Sequence, residues 1–111
     1  MKLPQKKVIS EKKLREYLLT PRIEDDKAGF LTLAGYSLEN WRVLEEDLPR
    51  LVEEEEALLI RTTQYGEIYH VKGQSIGPND QILYVITVWI QLYATGETRF
   101  VTLVPDKEAR Q

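Results

Sequence analysis

The sequence predicts an α+β fold in which three N-terminal helices pack on one face of a four-stranded antiparallel meander. Before the acidic run of residues 53–56, apolar residues recur at the spacing of an amphipathic helix. From Ala57 onward they alternate with a period of two, which is the period of a β-strand. The turn sequence Gly77-Pro78-Asn79-Asp80 divides the alternating part, as expected between neighbouring strands of a meander.

The helical half is expected to contain three short elements. They are predicted over residues 11–19, 27–33 and 38–52. Ser10, Asp25 or Asp26, and Ser37 stand at their starts, where a side-chain oxygen accepts a hydrogen bond from a free backbone N–H. Pro49 lies inside the third pattern and lacks the N–H that a helix uses, so we expect a kink or a break there.

Four strands are predicted over residues 57–63, 67–74, 81–93 and 99–104, and Gly73 is expected to mark a bulge in the second. One face of the third strand is almost purely apolar and is therefore expected to pack on the helices: Ile82, Tyr84, Ile86, Val88, Ile90 and Leu92. The opposite face is the one expected to carry chemistry: Leu83, Val85, Thr87, Trp89, Gln91 and Tyr93.

The composition indicates one domain over residues 1–111, with an ordered core of about residues 8–105. Cysteine is absent and His70 is the only histidine, which argues against disulfides, thiolate chemistry and a zinc site. The sequence contains no Walker motif, no dinucleotide-binding glycine pattern and no nucleophile elbow, so we expect no metal and no cofactor. It also contains no signal-type run and no membrane span, which favours a soluble, cytoplasmic protein.

The net charge of −3 hides a strong asymmetry along the chain. Residues 1–22 carry seven Lys/Arg and two Glu, whereas residues 23–56 carry three Lys/Arg and eleven Asp/Glu. This pattern argues against a uniform nucleic-acid-binding surface. It is consistent with a local basic patch, with a basic partner docking on the acidic helices, or with ordinary solvated helix faces.

Strand alternation brings Tyr69, Thr87, Trp89 and Thr102 together on the second face of the sheet. Tryptophan and tyrosine rings are flat platforms on which nucleic-acid bases stack, and the hydroxyls can contact phosphate. The same residue types are also common as plain strand formers and core residues. His70 has the pKa range for acid–base catalysis, but a lone strand histidine is also an ordinary surface residue.

Several motifs resemble a bacterial family over residues 12–105. They are Tyr17-Leu18-Leu19-Thr20-Pro21, Asp26-Lys27-Ala28 with Phe30, Gly35-Tyr36-Ser37-Leu38-Glu39-Asn40, Tyr65-Gly66 with Tyr69-His70-Val71, Gly77-Pro78-Asn79, Thr87-Val88-Trp89-Ile90 and Arg99-Phe100-Val101-Thr102. The family is a domain of unknown function that occurs as small stand-alone proteins and at the C-termini of large phage-related and contact-dependent toxin proteins.

The resemblance implies a function. Several C-terminal toxin domains of this layout are metal-independent ribonucleases of the barnase–EndoU–colicin–RelE type, with active residues on the exposed sheet face and on a helix. The implied catalytic residues are Lys27, Tyr69, Thr87, Arg99 and Thr102, with Trp89 and His70 contacting the substrate. The RNA 2′-OH would attack its own phosphate while Lys27 or Arg99 stabilises the charged phosphorane, and Tyr69 or His70 would move protons.

Three functions are consistent with the sequence, which leaves open whether the chain is an enzyme. The first is a ribonuclease-like, toxin-type domain that acts on RNA. The second is a non-catalytic, antitoxin-like module that docks a small partner protein on the acidic helical half. The third is a small homodimer with an exposed edge strand and no ligand. The oligomeric alternatives are monomer and homodimer, and no membrane association is expected.

Overall fold

A four-stranded antiparallel sheet follows three short helices in the computed structural model, which describes residues 1–4, 6–21 and 27–108. The helical elements are a π-helix (Lys13–Leu18), α1 (Lys27–Thr32), a 3₁₀ turn (Leu38–Asn40) and α2 (Trp41–Leu51). The strands are β1 (Ala57–Thr62), β2 (Gly66–Ile76), β3 (Ile82–Leu92) and β4 (Thr98–Pro105), in the spatial order β1-β2-β3-β4. The predicted α+β class and the antiparallel meander are confirmed.

The predicted helix starts are confirmed at two places. The Ser10 hydroxyl accepts a hydrogen bond from the Lys13 N–H at 3.2 Å, and Ser37 forms a capping box with Asn40. The expected break at Pro49 is wrong, because α2 continues through this residue to Leu51. Pro49 lies in the last turn of the helix, so the loss of its backbone N–H affects only the end of the helix. The predicted caps Asp25 and Asp26 lie outside the described residues.

The packing of the helices on the sheet is only partly as predicted. Helix α2 lies along β2, whereas the π-helix contacts α1 and α2. Gly73 does not mark a bulge: it pairs regularly with Val85, and a Cβ there would lie 2.6 Å from the Leu51 Cδ1. The glycine therefore lets the end of α2 approach the sheet closely. The irregular pairings occur between Leu59 and Arg61 on β1 and beside Val88 and Trp89 on β3.

The helices cover the face of β3 that the sequence assigned to chemistry. Val85, Thr87 and Trp89 are fully buried, together with Val71 on β2 and Leu103 on β4. The helical side of this core is made of leucines and small residues: Leu14, Leu18, Leu31, Ala34, Leu44, Leu48 and Val52. The prediction that Ile86, Val88 and Ile90 pack on the third helix is therefore wrong. These three side chains are half-buried on the opposite face, called the outer face below.

The turn between β2 and β3 holds the C-terminal end of α1. The Asn79 side chain donates to the Leu33 carbonyl at 3.1 Å, and its backbone N–H donates to the Ala34 carbonyl at 3.2 Å. A Cβ on Gly77 would lie 2.0 Å from the same Ala34 oxygen, so only glycine fits there. Because α1 has six residues, it is too short to be stable alone, and this clamp sets its place on the sheet.

The N-terminal segment pairs with the outermost strand. The Val8 N–H donates to the Thr98 carbonyl at 2.8 Å, and the Val8 carbonyl accepts from the Phe100 N–H at 2.9 Å. This pairing covers the first part of the β4 edge and leads the chain directly into the π-helix. None of the helices in the described part of the chain has the length and apolar run that crossing a bilayer requires.

Candidate functional site

The centre of the candidate site is a pair of hydroxyls that joins the π-helix to β4. The Tyr17 hydroxyl lies 2.9 Å from the Thr102 Oγ1, within hydrogen-bond distance. Both side chains are half-buried. Tyr17 comes from the π-helix, which follows the Val8 pairing, and Thr102 lies further along the same edge strand.

Two lysine ammonium groups lie beside the Tyr17 ring. The Lys13 Nζ is 5.2 Å from the ring centroid and the Lys27 Nζ is 6.0 Å from it, the range of cation–π attraction. Lys27 begins α1 and is only 6% exposed. Few lysines are buried to this degree, because removing an ammonium group from water costs free energy that its surroundings must offset. The cluster Tyr17–Thr102–Lys13–Lys27 is called the hydroxyl–lysine cluster below.

A surface depression of about 360 Å³ lies next to this cluster. Its lining includes Tyr17 and Lys13 from the cluster, with Ser10, Lys12 and Glu16 from the same stretch of chain. Lysines and hydroxyls of this kind bind phosphate oxygens, and the carboxylate of Glu16 is a proton acceptor in the same place. The depression therefore combines an anion-binding wall with a group that can take a proton.

Three of the predicted site residues lie in the core instead. Thr87 and Trp89 are fully buried and Tyr69 is 4% exposed. The Trp89 Nε1 donates to the Thr87 Oγ1 at 2.8 Å, and that hydroxyl donates to the Val71 carbonyl at 2.8 Å. The Trp89 ring also packs edge-to-face on Phe100, with 5.4 Å between ring centroids. These groups satisfy one another inside the protein.

The Tyr69 hydroxyl binds a carboxylate near the start of β2. Its hydroxyl donates to the Glu67 Oε1 at 2.8 Å. This hydrogen bond, together with burial, raises the pKa of the Tyr69 phenol above its ordinary value. The phenol is therefore kept neutral, as a hydrogen-bond donor rather than a base.

The remaining two predicted residues lie on the outer face. His70 pairs with Leu58 and Val88 across the sheet, and Arg99 pairs with Ile90. The Arg99 guanidinium contacts Glu97, with 2.9 Å between Nη1 and Oε1. Of the seven predicted residues, Lys27 and Thr102 thus both lie near Tyr17. The prediction that Thr102 shares the face of Trp89 is wrong: the pairing shifts register beside Val88 and Trp89, so Thr102 pairs with Val88. Within the described residues, no group of three metal-ligating side chains is present.

Sequence reasoning missed Tyr17 as a member of the site. Its spacing with Leu14 and Leu18 is that of an apolar helix stripe, and its side chain does pack against the core. The available signal was its position at the start of a shared motif, but spacing alone carries no information about the hydroxyl. The partner, Thr102, lies eighty-five residues away along the chain.

A second polar network was also missed. The buried Tyr36 hydroxyl donates to the Asp47 Oδ2 at 2.6 Å and lies 2.6 Å from the Ser75 Oγ. Burial, and next the hydrogen bond to Asp47, raises the pKa of the Tyr36 phenol well above its ordinary value. The network joins the 3₁₀ turn region to α2 and β2, so its geometry indicates a structural role.

The model of one protein family matches residues 2–107, which is nearly the whole chain. The chain belongs to the DUF6883 family. This family is described as a domain of unknown function, in agreement with the resemblance seen in the motifs. A search of curated proteins finds no match.

One similar solved structure is a chain of a contact-dependent growth inhibition toxin–immunity protein complex from Klebsiella pneumoniae 342. The two chains superpose with a TM-score of 0.69 and are 21% identical. The match covers 89% of this DUF6883 chain and 99% of the other. At this identity the similarity establishes a shared fold, and the activity has to be argued from the site itself.

Proposed function

We propose that this DUF6883 domain is a metal-independent, ribonuclease-like toxin-type domain that acts on RNA at the hydroxyl–lysine cluster. The observation that carries the proposal is the Tyr17–Thr102 hydroxyl pair with the Lys13 and Lys27 ammonium groups beside it. This is a concentrated cationic site in a chain whose net charge is −3. A local cationic site of this kind attracts a phosphate even when the whole protein is acidic.

The shared fold supports a role in a toxin or immunity system. The superposed chain comes from a complex of a contact-dependent growth inhibition toxin with its immunity protein. The motifs of this chain also resemble a family that occurs in contact-dependent toxins. Under this proposal the domain acts in the cytoplasm, where its RNA substrate is found.

The proposed reaction is transfer within the RNA strand. The 2′-oxygen bonds to the adjacent phosphorus and the bond from phosphorus to the 5′-oxygen breaks, which leaves a cyclic phosphate and a new 5′-hydroxyl. Lys27 stabilises the charge that develops on the phosphate, and Thr102 donates to the Tyr17 oxygen, which leaves the Tyr17 proton for the substrate. Glu16 takes the 2′ proton, and Tyr17 supplies a proton to the leaving oxygen.

The other predicted residues take supporting parts in this proposal. Arg99 and His70 lie on the outer face. There they contact phosphates or bases on either side of the cleaved bond, because a polymeric substrate extends beyond the cluster. Tyr69, Thr87 and Trp89 act from the core by holding β2 and β3 in register beneath the site. Trp89 is then a rigid support rather than a stacking platform.

The test is incubation of the pure protein with total RNA and with tRNA in EDTA, because the proposed reaction needs no metal. We expect cleavage by wild type and at least tenfold slower cleavage by Lys27→Ala, Tyr17→Phe and Glu16→Gln. Lys107→Ala is the matched control, since Lys107 is an exposed lysine outside the cluster. Circular dichroism spectra confirm that each variant is folded. The proposal fails if wild type leaves RNA intact or if the cluster variants cleave as fast as Lys107→Ala.

A second candidate function is a protein-docking module that uses the acidic helical half. Glu46 on α2 and the run Glu53 to Glu56 after it are all exposed. Like-charged carboxylates in one region favour association with a basic partner, faster at low salt. A module of this type would be harmless on overexpression, would leave RNA intact, and would lose its partner when Glu45 and Glu46 are both changed to lysine.

A further inference from the structure

Two arginines lie around one indole ring at the junction of the π-helix and α2. The Arg42 guanidinium carbon is 4.8 Å from the centroid of the Trp41 ring, and the Arg15 guanidinium carbon is 5.8 Å from it, both in the range of cation–π attraction. Arg42 and Trp41 belong to α2, whereas Arg15 belongs to the π-helix. The three side chains are called the arginine–tryptophan group below, and the proposed reaction makes no use of them.

The group is held in place from the core side. Trp41 is half-buried and packs against the core, whereas both arginines are exposed. A free arginine side chain loses rotamer freedom when it binds a ligand, and this loss opposes binding. A guanidinium that already rests on an anchored ring has less freedom to lose, so the group is preorganised for a ligand.

The donors of the group suit an anion. Within residues 1–4, 6–21 and 27–108, no carboxylate forms an ion pair with Arg42. The Arg15 Nη1 donates to the Glu11 Oε2 at 2.8 Å, so Glu11 balances one of the two positive charges. A guanidinium presents its five N–H groups in a planar fork that matches two oxygens of a phosphate. The group therefore keeps a net positive charge and an open fork for a phosphate.

The π-helix separates this group from the hydroxyl–lysine cluster. Residues four apart lie on the same side of a helix. Lys13 and Tyr17 therefore share one flank of the π-helix, where the cluster is. Arg15 pairs with Glu11 on the other flank. The width of one helix, about 10 Å, thus lies between the two cationic sites.

The exposed ridge of the π-helix connects the two flanks. Lys12 and Glu16 lie on this ridge, and both line the depression beside the cluster. Lys12 adds a cation between the two sites, and Glu16 is the proton acceptor of the proposed reaction. The surface that is suited to a phosphate chain therefore continues from the cleaved bond over the ridge to the arginine–tryptophan group.

We propose that the arginine–tryptophan group binds a backbone phosphate of single-stranded RNA, on one side of the phosphate that is cleaved. Under the proposed function, on which this assignment rests, RNA is already bound at the hydroxyl–lysine cluster. Arg42 donates to two oxygens of the additional phosphate, and Arg15 adds a second cation. Because the two sites lie on opposite flanks of one helix, the strand between them has to curve, which favours an unpaired strand over a stiff duplex. An acidic protein fits the same charges, but the adjacent cleavage site favours RNA.

The binding test uses a fluorescein-labelled single-stranded oligoribonucleotide with 2′-O-methyl groups, which lacks the attacking 2′-OH. Fluorescence anisotropy measures its Kd for the full chain over a series of salt concentrations. Arg42→Ala is expected to raise Kd about fivefold or more at low salt and to lower the slope of log Kd against log salt by about 0.7, the contribution of one single-strand phosphate contact. Arg42→Lys keeps the charge but not the planar fork, so its Kd is expected to lie between those of wild type and Arg42→Ala.

Arg50→Ala is the matched control. Arg50 is an exposed arginine on the same helix, with its Nη1 3.9 Å from the Asp47 Oδ1. Because it is not part of the arginine–tryptophan group, its removal is expected to leave both Kd and the salt slope as in wild type. Circular dichroism spectra confirm that each variant is folded.

Cleavage of the unmodified oligoribonucleotide separates the phosphate site from the proposed reaction. Arg42→Ala is expected to raise KM about fivefold or more. If wild type cleaves RNA and Arg42→Ala matches Arg50→Ala in Kd, KM and salt slope, the phosphate site is wrong and the proposed function stands. If wild type binds the oligonucleotide through Arg42 but leaves RNA intact, the phosphate site stands and the proposed reaction fails. The assignment is also overturned if wild type binds no RNA, or if polyglutamate binds as tightly and depends on Arg42 in the same way.

Discussion

Both faces of β3 are rich in apolar residues, yet only one of them forms the core. The core face includes Thr87 and Trp89, whereas the central residues of the outer face, Ile86, Val88 and Ile90, are purely aliphatic. By the hydrophobicity of β3 alone the outer face is the better candidate for burial, but the neighbouring strands add Lys72, His70 and Arg99 to it. Burying the polar groups of the core face costs little free energy, because the Trp89 N–H and the Thr87 hydroxyl both make hydrogen bonds inside the core. The comparison shows that a face is chosen by fit and hydrogen bonding as well as by apolar content.

The largest effect is expected when one residue of each face is truncated, as in the variants Trp89→Ala and Ile90→Ala. Trp89 is fully buried and packs on Phe100, so its truncation is expected to lower the free energy of unfolding by about 3–5 kcal/mol. Ile90 is half-buried on the outer face, and its truncation is expected to cost less than half as much. Chemical denaturation measures both. Equal losses would mean that the outer face contributes as much to stability as the core face.

The helical side of the core gives the next contrast. Leu44→Ala is expected to cost about 2–5 kcal/mol, because Leu44 is 1% exposed at the contact of α2 with the core. Val43 is the adjacent helix residue and is 38% exposed. Val43→Ala is therefore expected to change stability by less than about 0.5 kcal/mol. If the two variants unfold at the same denaturant concentration, the assignment of the buried stripe of α2 is incorrect.

A smaller effect is expected from removing one core hydroxyl. Thr87→Val keeps the shape of the side chain but leaves the Trp89 N–H without its partner, and the expected loss is about 1–3 kcal/mol. Thr102→Val is the matched change at a half-buried hydroxyl and is expected to cost less than about 1 kcal/mol. Thermal or urea unfolding distinguishes them. A neutral Thr87→Val would show that hydrogen bonding does not select the core face.

The smallest expected effect is a dependence of stability on alkaline pH. Burial raises the pKa of the Tyr36 phenol in the folded protein above that of the unfolded chain, which is about 10. The folded state therefore favours the neutral phenol, and its stability is fully present below pH about 10 and declines as the pH rises further. Tyr36→Phe is expected to be less stable at neutral pH and to show a shallower alkaline decline. An unchanged slope in this variant would assign the decline to other groups.

The secondary structure followed closely from local patterns. All four strands lie within a few residues of their predicted positions, because alternation and the Gly77-Pro78 turn are local signals. The break predicted at Pro49 was wrong because the free-energy cost of a proline in a helix depends on how near it lies to the helix end. The bulge predicted at Gly73 was wrong because the glycine is needed for close contact with Leu51, which belongs to a different element, α2. Local patterns carry no information about such contacts.

Lys27 was chosen through a shared motif and Thr102 through strand alternation, and both lie near Tyr17. Alternation assigned Thr102 to the face of Trp89, but the irregular pairing on β4 puts it opposite Val88. Tyr69, Thr87 and Trp89 do share a face, as alternation predicts, but that face is the core. Their proximity was a consequence of strand geometry, whereas their accessibility depended on which side the helices occupy.

The sequence by itself determined the fold class and the order of the elements, because these depend on spacing along the chain. It also determined the two faces of β3, but not the face of Thr102, because the irregular pairing with β4 shifts the register there. The tertiary structure decided which face is buried and which distant groups meet. Tyr17 and Thr102 come together because Val8 pairs with the β4 edge and so positions the π-helix beside it. Contacts over such separations are set by the packing of whole elements, and no local pattern encodes them.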